Sequence, residues 1–326
     1  MTMHRRTAIL AAALSLAAIA LPAVGQDKWP SKPITAVVPF PPGGSTDALT
    51  RALAPKMQEQ LGQPIVVENR AGATGAIGAG FVKNAAPDGY TFMVASIGVY
   101  SVNPVLQKKL AYDPSKDFDL LTVAVRAPNV LVANPQFPAN NVAELIAYLK
   151  KNPDKVSFAS SGSGSSDHLT AALFWQKSGT SGLHVPYKGG APAITDLIGG
   201  HADVSFQNIN AVLSHIKAGK LKALAITGDK RAEVLPQVPT LAEAGVSGVD
   251  VYSWQGVAAP KGLPADIKKK LFDATVHALQ DPQIKNRLQG EGFEIVANTP
   301  EQFAKFQAQE LARWRSVIEK GNITLD

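Results

Sequence analysis

The 326-residue sequence contains no cysteine, only six histidines, 7% aromatic residues and no long apolar run. Each shortage excludes something. Without cysteine there is no disulfide framework and no thiolate chemistry, and a chain of this length buries enough apolar surface to fold without either. Six scattered histidines do not suggest a dense metal site, so neither a metal nor a cofactor is expected. A membrane-spanning helix needs about 20 apolar residues. The longest candidate, residues 8–20, has only 13, and no later stretch reaches that length. Charge of one sign is scarce too: 32 basic against 26 acidic residues give +6. The basic runs Lys150-Lys151 and Lys268-Lys269-Lys270 carry no interleaved aromatics. They fit solvated helix faces, and no nucleic-acid partner is expected.

What is present begins with an export signal. His4, Arg5 and Arg6 form a basic start, residues 8–20 an apolar stretch, and Ala23-Val24-Gly25 a small-residue cleavage site. A signal peptide over residues 1–26 is therefore expected, with cleavage after Gly25 or Gln26. The arginine pair also loosely fits twin-arginine export, but the general secretory reading is preferred. The expected location is the periplasm. Loss of the leader leaves about 300 residues, the length of two domains.

Strand-like and helix-like segments then alternate, the pattern of an α/β fold. Residues 34–40 read as a strand ended by Pro41-Pro42-Gly43-Gly44. A helix is expected over 48–61, kinked at Pro55 and closed by Gly62. Further strands are expected at 65–67, 91–95, 120–125, 130–133 and 156–160, with an amphipathic helix over 141–151. Thr299-Pro300-Glu301-Gln302 is a capping box. It opens a last helix whose Phe303, Phe306, Leu311, Trp314 and Ile318 form an apolar stripe for core packing.

An internal echo carries the chemistry. The ten residues from Gly44 to Leu53 align on those from Gly164 to Leu173 at a constant offset, seven pairs being identical. Each copy follows a strand and a Gly-rich turn, and each places Asp (Asp47, Asp167) at an expected helix N-cap. A helix start exposes unpaired N–H groups and positive potential, which together hold anions. Glycine lets a ligand approach the backbone, so a bulky residue at Gly44 or Gly164 should abolish binding. Ser45, Thr46, Ser161, Ser163, Ser165 and Ser166 add hydroxyl donors. The bland alternative is a pair of capped turns that bind nothing. Neither loop has a P-loop lysine, and Ser160-Ser161-Gly162-Ser163-Gly164 lacks the spacing of a nucleophile elbow. His168, His184 and His201 are expected to be surface or capping histidines.

Several motifs extend this reading: Val38-Pro39-Phe40-Pro41-Pro42-Gly43-Gly44 with Asp47 and Arg51, Val67-Glu68-Asn69-Arg70-Ala71-Gly72-Ala73, and Pro87-Asp88-Gly89-Tyr90-Thr91. Later come His184-Val185-Pro186-Tyr187-Lys188-Gly189 and Leu235-Pro236-Gln237-Val238-Pro239-Thr240. With these the chain resembles the Bug family, the TctC-like periplasmic receptors of tripartite tricarboxylate transporters. The resemblance implies a two-lobed periplasmic-binding-protein fold, type II-like, each lobe a mixed sheet flanked by helices. Lobe 1 would comprise residues 27–126 and 252–326, and lobe 2 residues 127–251.

It also implies capture of a small carboxylate (dicarboxylate, tricarboxylate or aromatic acid) by main-chain amides of the loops at 41–46 and 160–166, without catalysis. Delivery to membrane permease subunits and a monomeric state follow. The expected ligand-binding residues are Phe40, Pro42, Gly43, Gly44, Ser45, Thr46, Asp47, Ala73, Thr74, Ser96, Ser161, Gly162, Ser163, Gly164, Ser165, Ser166, Tyr187 and Gln207. Many relatives carry Asp where Gln207 stands, and a neutral Gln207 favours a ligand without an amino group. A ligand sensor on the same fold, or a secreted hydrolase using Ser163 or Ser165, are the other classes of function.

Overall fold

In the computed structural model, which describes residues 29–324, the first β-branched run becomes β1 (Ile34–Val38), almost wholly buried. Helix α1 (Ser45–Leu61) follows, runs through Pro55 unbroken and stops at Gly62, whose φ of 73° is left-handed. Then come β2 (Ile65–Asn69), a 3-10 turn (Ala73–Gly75), α2 (Ala76–Lys83) and β3 (Thr91–Ser96). A π-turn (Gly98–Val102) leads into the short α3 (Asn103–Leu106).

The two strands expected next are one, β4 (Phe118–Ala133). Beyond it lie α4 (Val142–Lys151), β5 (Ser157–Ser160), α5 (Ser166–Ser178), β6 (Leu183–Pro186), α6 (Gly190–Gly199), β7 (Val204–Asn208), α7 (Ile209–Lys217) and β8 (Lys222–Ile226). The chain closes with β9 (Tyr252–Pro260), α8 (Ala265–Gln280), α9 (Pro282–Gly290), β10 (Glu294–Ile295) and α10 (Pro300–Lys320). The expected signal peptide falls outside the described residues. Among those described, no helix is long and apolar enough to cross a membrane.

The strand order is β2-β1-β3-β9-β4-β7-β5-β6, with β8 and β10 also on β4. Strand β4 joins the two halves. Its Phe118–Pro128 portion pairs antiparallel with β9, and its Val130–Ala133 portion with β7 and β8. Pro128 lacks an N–H, but it falls where the strand changes partners, so the missing donor does not break it. Both halves are mixed sheets with flanking helices, and the fold is the two-lobed α/β fold of periplasmic binding proteins. Each echo helix follows a strand with parallel neighbours on both sides. For β1 these are β2 and β3, and for β5 they are β6 and β7. The two helix starts therefore lie at carboxyl ends of parallel strands, where α/β sheets bind ligands.

Helix α10 ties the halves together. Its capping box is formed, and Phe303, Trp314 and Ile318 are buried. The apolar stripe also buries two polar residues. Gln307 donates to the Tyr100 carbonyl at 2.7 Å, and Glu310 accepts from the indoles of Trp254 and Trp314 at 3.0 and 3.1 Å. Gln176 of α5 donates to the Val317 carbonyl at 3.2 Å.

Candidate ligand-binding site

The first loop, residues 39–44, turns on Gly43, whose φ is 82°. Gly44 is the residue before α1, and no side chain caps the helix there, which leaves its first N–H groups without a side-chain partner. The expected Asp N-cap is corrected: Asp47 lies one turn inside and folds back. Its carboxylate accepts from the Gly43 amide at 3.0 Å, from Arg51 at 3.0 and 3.1 Å, and from Asn69 at 2.9 Å. Asn69 also donates to the Phe40 carbonyl at 3.1 Å. Burial alone would raise the Asp47 pKa, but Arg51, the Gly43 amide and Asn69 together hold it below the usual range. Asp47 thus braces the loop, and its oxygens are occupied.

The second loop, residues 161–165, has the same plan with different braces. Gly162 and Gly164 have φ of 129° and 81°. Ser165, not Asp167, is the N-cap, accepting from the His168 amide. Asp167 accepts from the amide and hydroxyl of Ser161 at 2.6 and 2.7 Å and from Gln207 at 3.3 Å. The residue aligned with Arg51 is Ala171, and burial raises the Asp167 pKa. The shared plan extends one turn further: Thr50 donates to the Thr46 carbonyl at 2.7 Å and Thr170 to that of Ser166 at 2.6 Å.

Of the two roles expected of His168, surface or capping, the surface one is corrected. His168 is 6% exposed and stacks on half-buried His184, ring centroids 3.7 Å apart. Its Nδ1 accepts the Gly164 amide at 3.0 Å, and Ser160 Oγ lies 2.6 Å from His184 Nε2. Burial, reinforced by neighbouring His184, pushes the His168 pKa down to about 3, so the ring is neutral and a fixed acceptor for the loop.

Groups at or beside each loop bond across the seam between the halves. Thr74 donates to the Ser163 carbonyl at 3.2 Å and Ser45 to Asn210 at 3.3 Å. A Cβ on Gly164 would sit 2.9 Å from Leu106 Cδ1, so glycine is what lets the second loop close on α3. Ala73 and Thr74 both have left-handed φ, 46° and 53°, uncommon for such residues. Gln107 and Asn103 hold their carbonyls at 3.1 and 3.0 Å. Strain of this kind persists where the surroundings over-determine it, often at binding sites.

Most of the expected residues are brought together, but several hydroxyls are spent internally. The hydroxyls of Ser161 and Ser165 donate to Asp167 and to the Gly162 carbonyl, the latter at 2.6 Å. Ser166 accepts from Asn208 at 3.4 Å. Tyr187 donates to Asp196 at 2.7 Å, while its amide holds the Ser160 carbonyl at 2.9 Å. Pro42 and Gly43 are exposed, and Phe40 and Ser96 are half-buried, the Phe40 ring lying against the 73–75 turn. Gln207 is buried against Asp167 and Ser205, beside Gly190 and Ser161. Sequence reasoning missed the structural roles of Arg51, Asn69, Asn103 and the histidine stack. A cavity of about 500 Å³, lined by Arg126, Tyr252, Glu294 and Arg313, contains none of the loop residues.

Two loops of one plan each open a helix, and groups at or beside both bond across one seam. The family model for the tripartite tricarboxylate transporter family receptor, TctC, matches residues 49–323. The chain belongs to that family. It is 39% identical over 321 residues to the protein BugT of Bordetella pertussis, covering 98% of both chains. It is 35% identical to an R. palustris protein solved with adipate, at a TM-score of 0.88, covering 91% of this chain and all of that one. MatC from Rhodopseudomonas palustris, solved with bound malate, is 34% identical at a TM-score of 0.84, covering 89% of this chain and all of the other. This TctC-family chain is accordingly a solute-binding receptor.

Proposed function

We propose that this receptor is exported to the periplasm, captures a small carboxylate between its lobes and hands it to membrane permease subunits of a tripartite transporter. The observation that carries the reading is the paired geometry. Two helix starts, each braced from behind by a buried aspartate, face one seam, and the guanidinium on the first of these helices, Arg51, is already paired with Asp47. Backbone amides and helix dipoles are then the attraction for an anion. Adipate and malate in two relatives support a carboxylate ligand. The lobes would be residues 27–126 with 252–326, and 127–251, because β4 changes partners after Pro128 and the chain returns at Tyr252. A monomer suffices, since one chain supplies both rims. A thermal-shift screen of small carboxylates on the purified protein, run beside turnover assays, tests this. The expected result is stabilisation by at least one acid with no product formed. Esterase turnover abolished in Ser163→Ala or Ser165→Ala would instead establish the hydrolase reading.

A further inference from the structure

We infer that the ligand carries a hydroxyl group beside its carboxylate and that Gln255 of β9 reads it; the inference rests on the carboxylate-receptor reading above. Gln255 is 1% exposed and stands in register opposite Ser96, so both side chains share one face of the sheet. Its Nε2 donates to Ser45 Oγ at 3.4 Å, and Ser45 donates to Asn210 Oδ1 at 3.3 Å across the seam. A serine hydroxyl has one hydrogen. With that hydrogen on Asn210, Ser45 accepts from Gln255, and in this arrangement the amide turns its nitrogen toward Ser45. The other end, Oε1, is buried and has no hydrogen-bond partner among the described residues. A buried carbonyl left unpaired is costly and uncommon, and a donor supplied by the ligand removes the cost. Ser45 is the first residue of α1, so this acceptor lies one side chain away from the helix start proposed to hold the carboxylate.

The donor is a hydroxyl and not an ammonium because, among the described residues, the carboxylates beside the two loops are already paired. Asp47 is committed to Arg51, Gly43 and Asn69, and Asp167 to Ser161 and Gln207. A full positive charge buried against neutral amides costs far more than a neutral hydroxyl does.

The test uses acids that differ only in that group: malate against succinate, citrate against tricarballylate, lactate against propionate, with aspartate as the amino counterpart of malate. Calorimetric titration of the purified protein should show the hydroxy member binding about tenfold tighter on whichever skeleton binds. Aspartate should bind more weakly than malate. Gln255→Met, similar in size, should erase the preference, so that the two members of a pair bind alike. The wild-type comparison stands even if that variant does not fold. Equal binding of the pair, as when a water molecule serves Oε1, or a preference retained in Gln255→Met, overturns the inference while the carboxylate reading survives. Failure of all seven acids to bind also overturns the inference, and the carboxylate reading is then decided by the wider thermal-shift screen.

Discussion

Gly43 and Gly44 of the first loop and Gly164 of the second do different work. Gly43 and Gly164 have positive φ, whereas Gly44 has φ −79°, which any residue adopts, and a Cβ there would meet nothing closer than 3.8 Å. Gly44→Ala is therefore expected to bind ligand as the parent does, whereas a bulky residue there would crowd the approach to the backbone. Gly43→Ala should cost about 1 kcal/mol of stability and weaken binding. Gly164→Val should abolish binding by blocking contact with Leu106. Titration calorimetry with whichever acid stabilises the protein separates the three. His168 gives a pH prediction. Its pKa is about 3 in the folded chain against an ordinary 6.5. Between those values the unfolded chain binds the extra proton, so stability is fully present above pH 6.5 and declines as pH falls toward 3. At pH 4.5 the loss from this residue is about 2 to 3 kcal/mol. In His168→Asn an amide oxygen can replace Nδ1 without titrating, so urea denaturation at pH 7.5 and 4.5 should show a smaller acid loss in the variant. Equal losses would disprove the assignment.

At the scale of elements, the helices of the echo differ in how they are held. Lobe 1 uses an ion pair, Asp47 with Arg51, while lobe 2 uses neutral groups and a carboxyl whose charge burial disfavours. Asp47→Asn should cost about 1 to 2 kcal/mol at pH 7 and Asp167→Asn less, measured by urea denaturation. In α10, Glu310→Ala leaves two buried indole N–H groups unpaired and should cost about 2 to 4 kcal/mol by the same measurement. The strand and helix alternation was legible because it depends on local periodicity. So was the capping box of α10, a four-residue signal. The echo was legible because identity at a fixed offset needs no knowledge of contacts. The continuity of β4 was not, since proline normally ends a strand unless a distant partner exchange falls beside it. The His168–His184 stack and the Asn69 brace join residues 16 to 29 positions apart. The Gln255–Ser45 contact spans 210 positions. Such pairings are set by how the sheet closes, which spacing along the chain does not encode.

At the scale of the molecule, the question is what holds the lobes shut. Across the seam Thr74 and Ser45 each make one neutral hydrogen bond, worth about 1 kcal/mol apiece. Moving a two-state equilibrium from mostly open to mostly closed takes about 5.5 kcal/mol, so these contacts alone leave both forms accessible and a ligand bridging the rims decides between them. Each helix start contributes about half a positive charge, and both face the seam, so the closed form favours an anion over its uncharged counterpart. Adding an acid that binds should make the protein more compact by small-angle scattering. At a hundredfold excess over Kd it should raise Tm by about 5 °C. The amide of the same acid keeps the shape and most of the apolar surface but not the charge. It should do neither at equal concentration, and the acid effect should persist in Gly44→Ala and vanish in Gly164→Val. If the amide compacts the protein as well as the acid does, the helix starts are not capturing charge, and closure must be driven by shape and apolar contact instead.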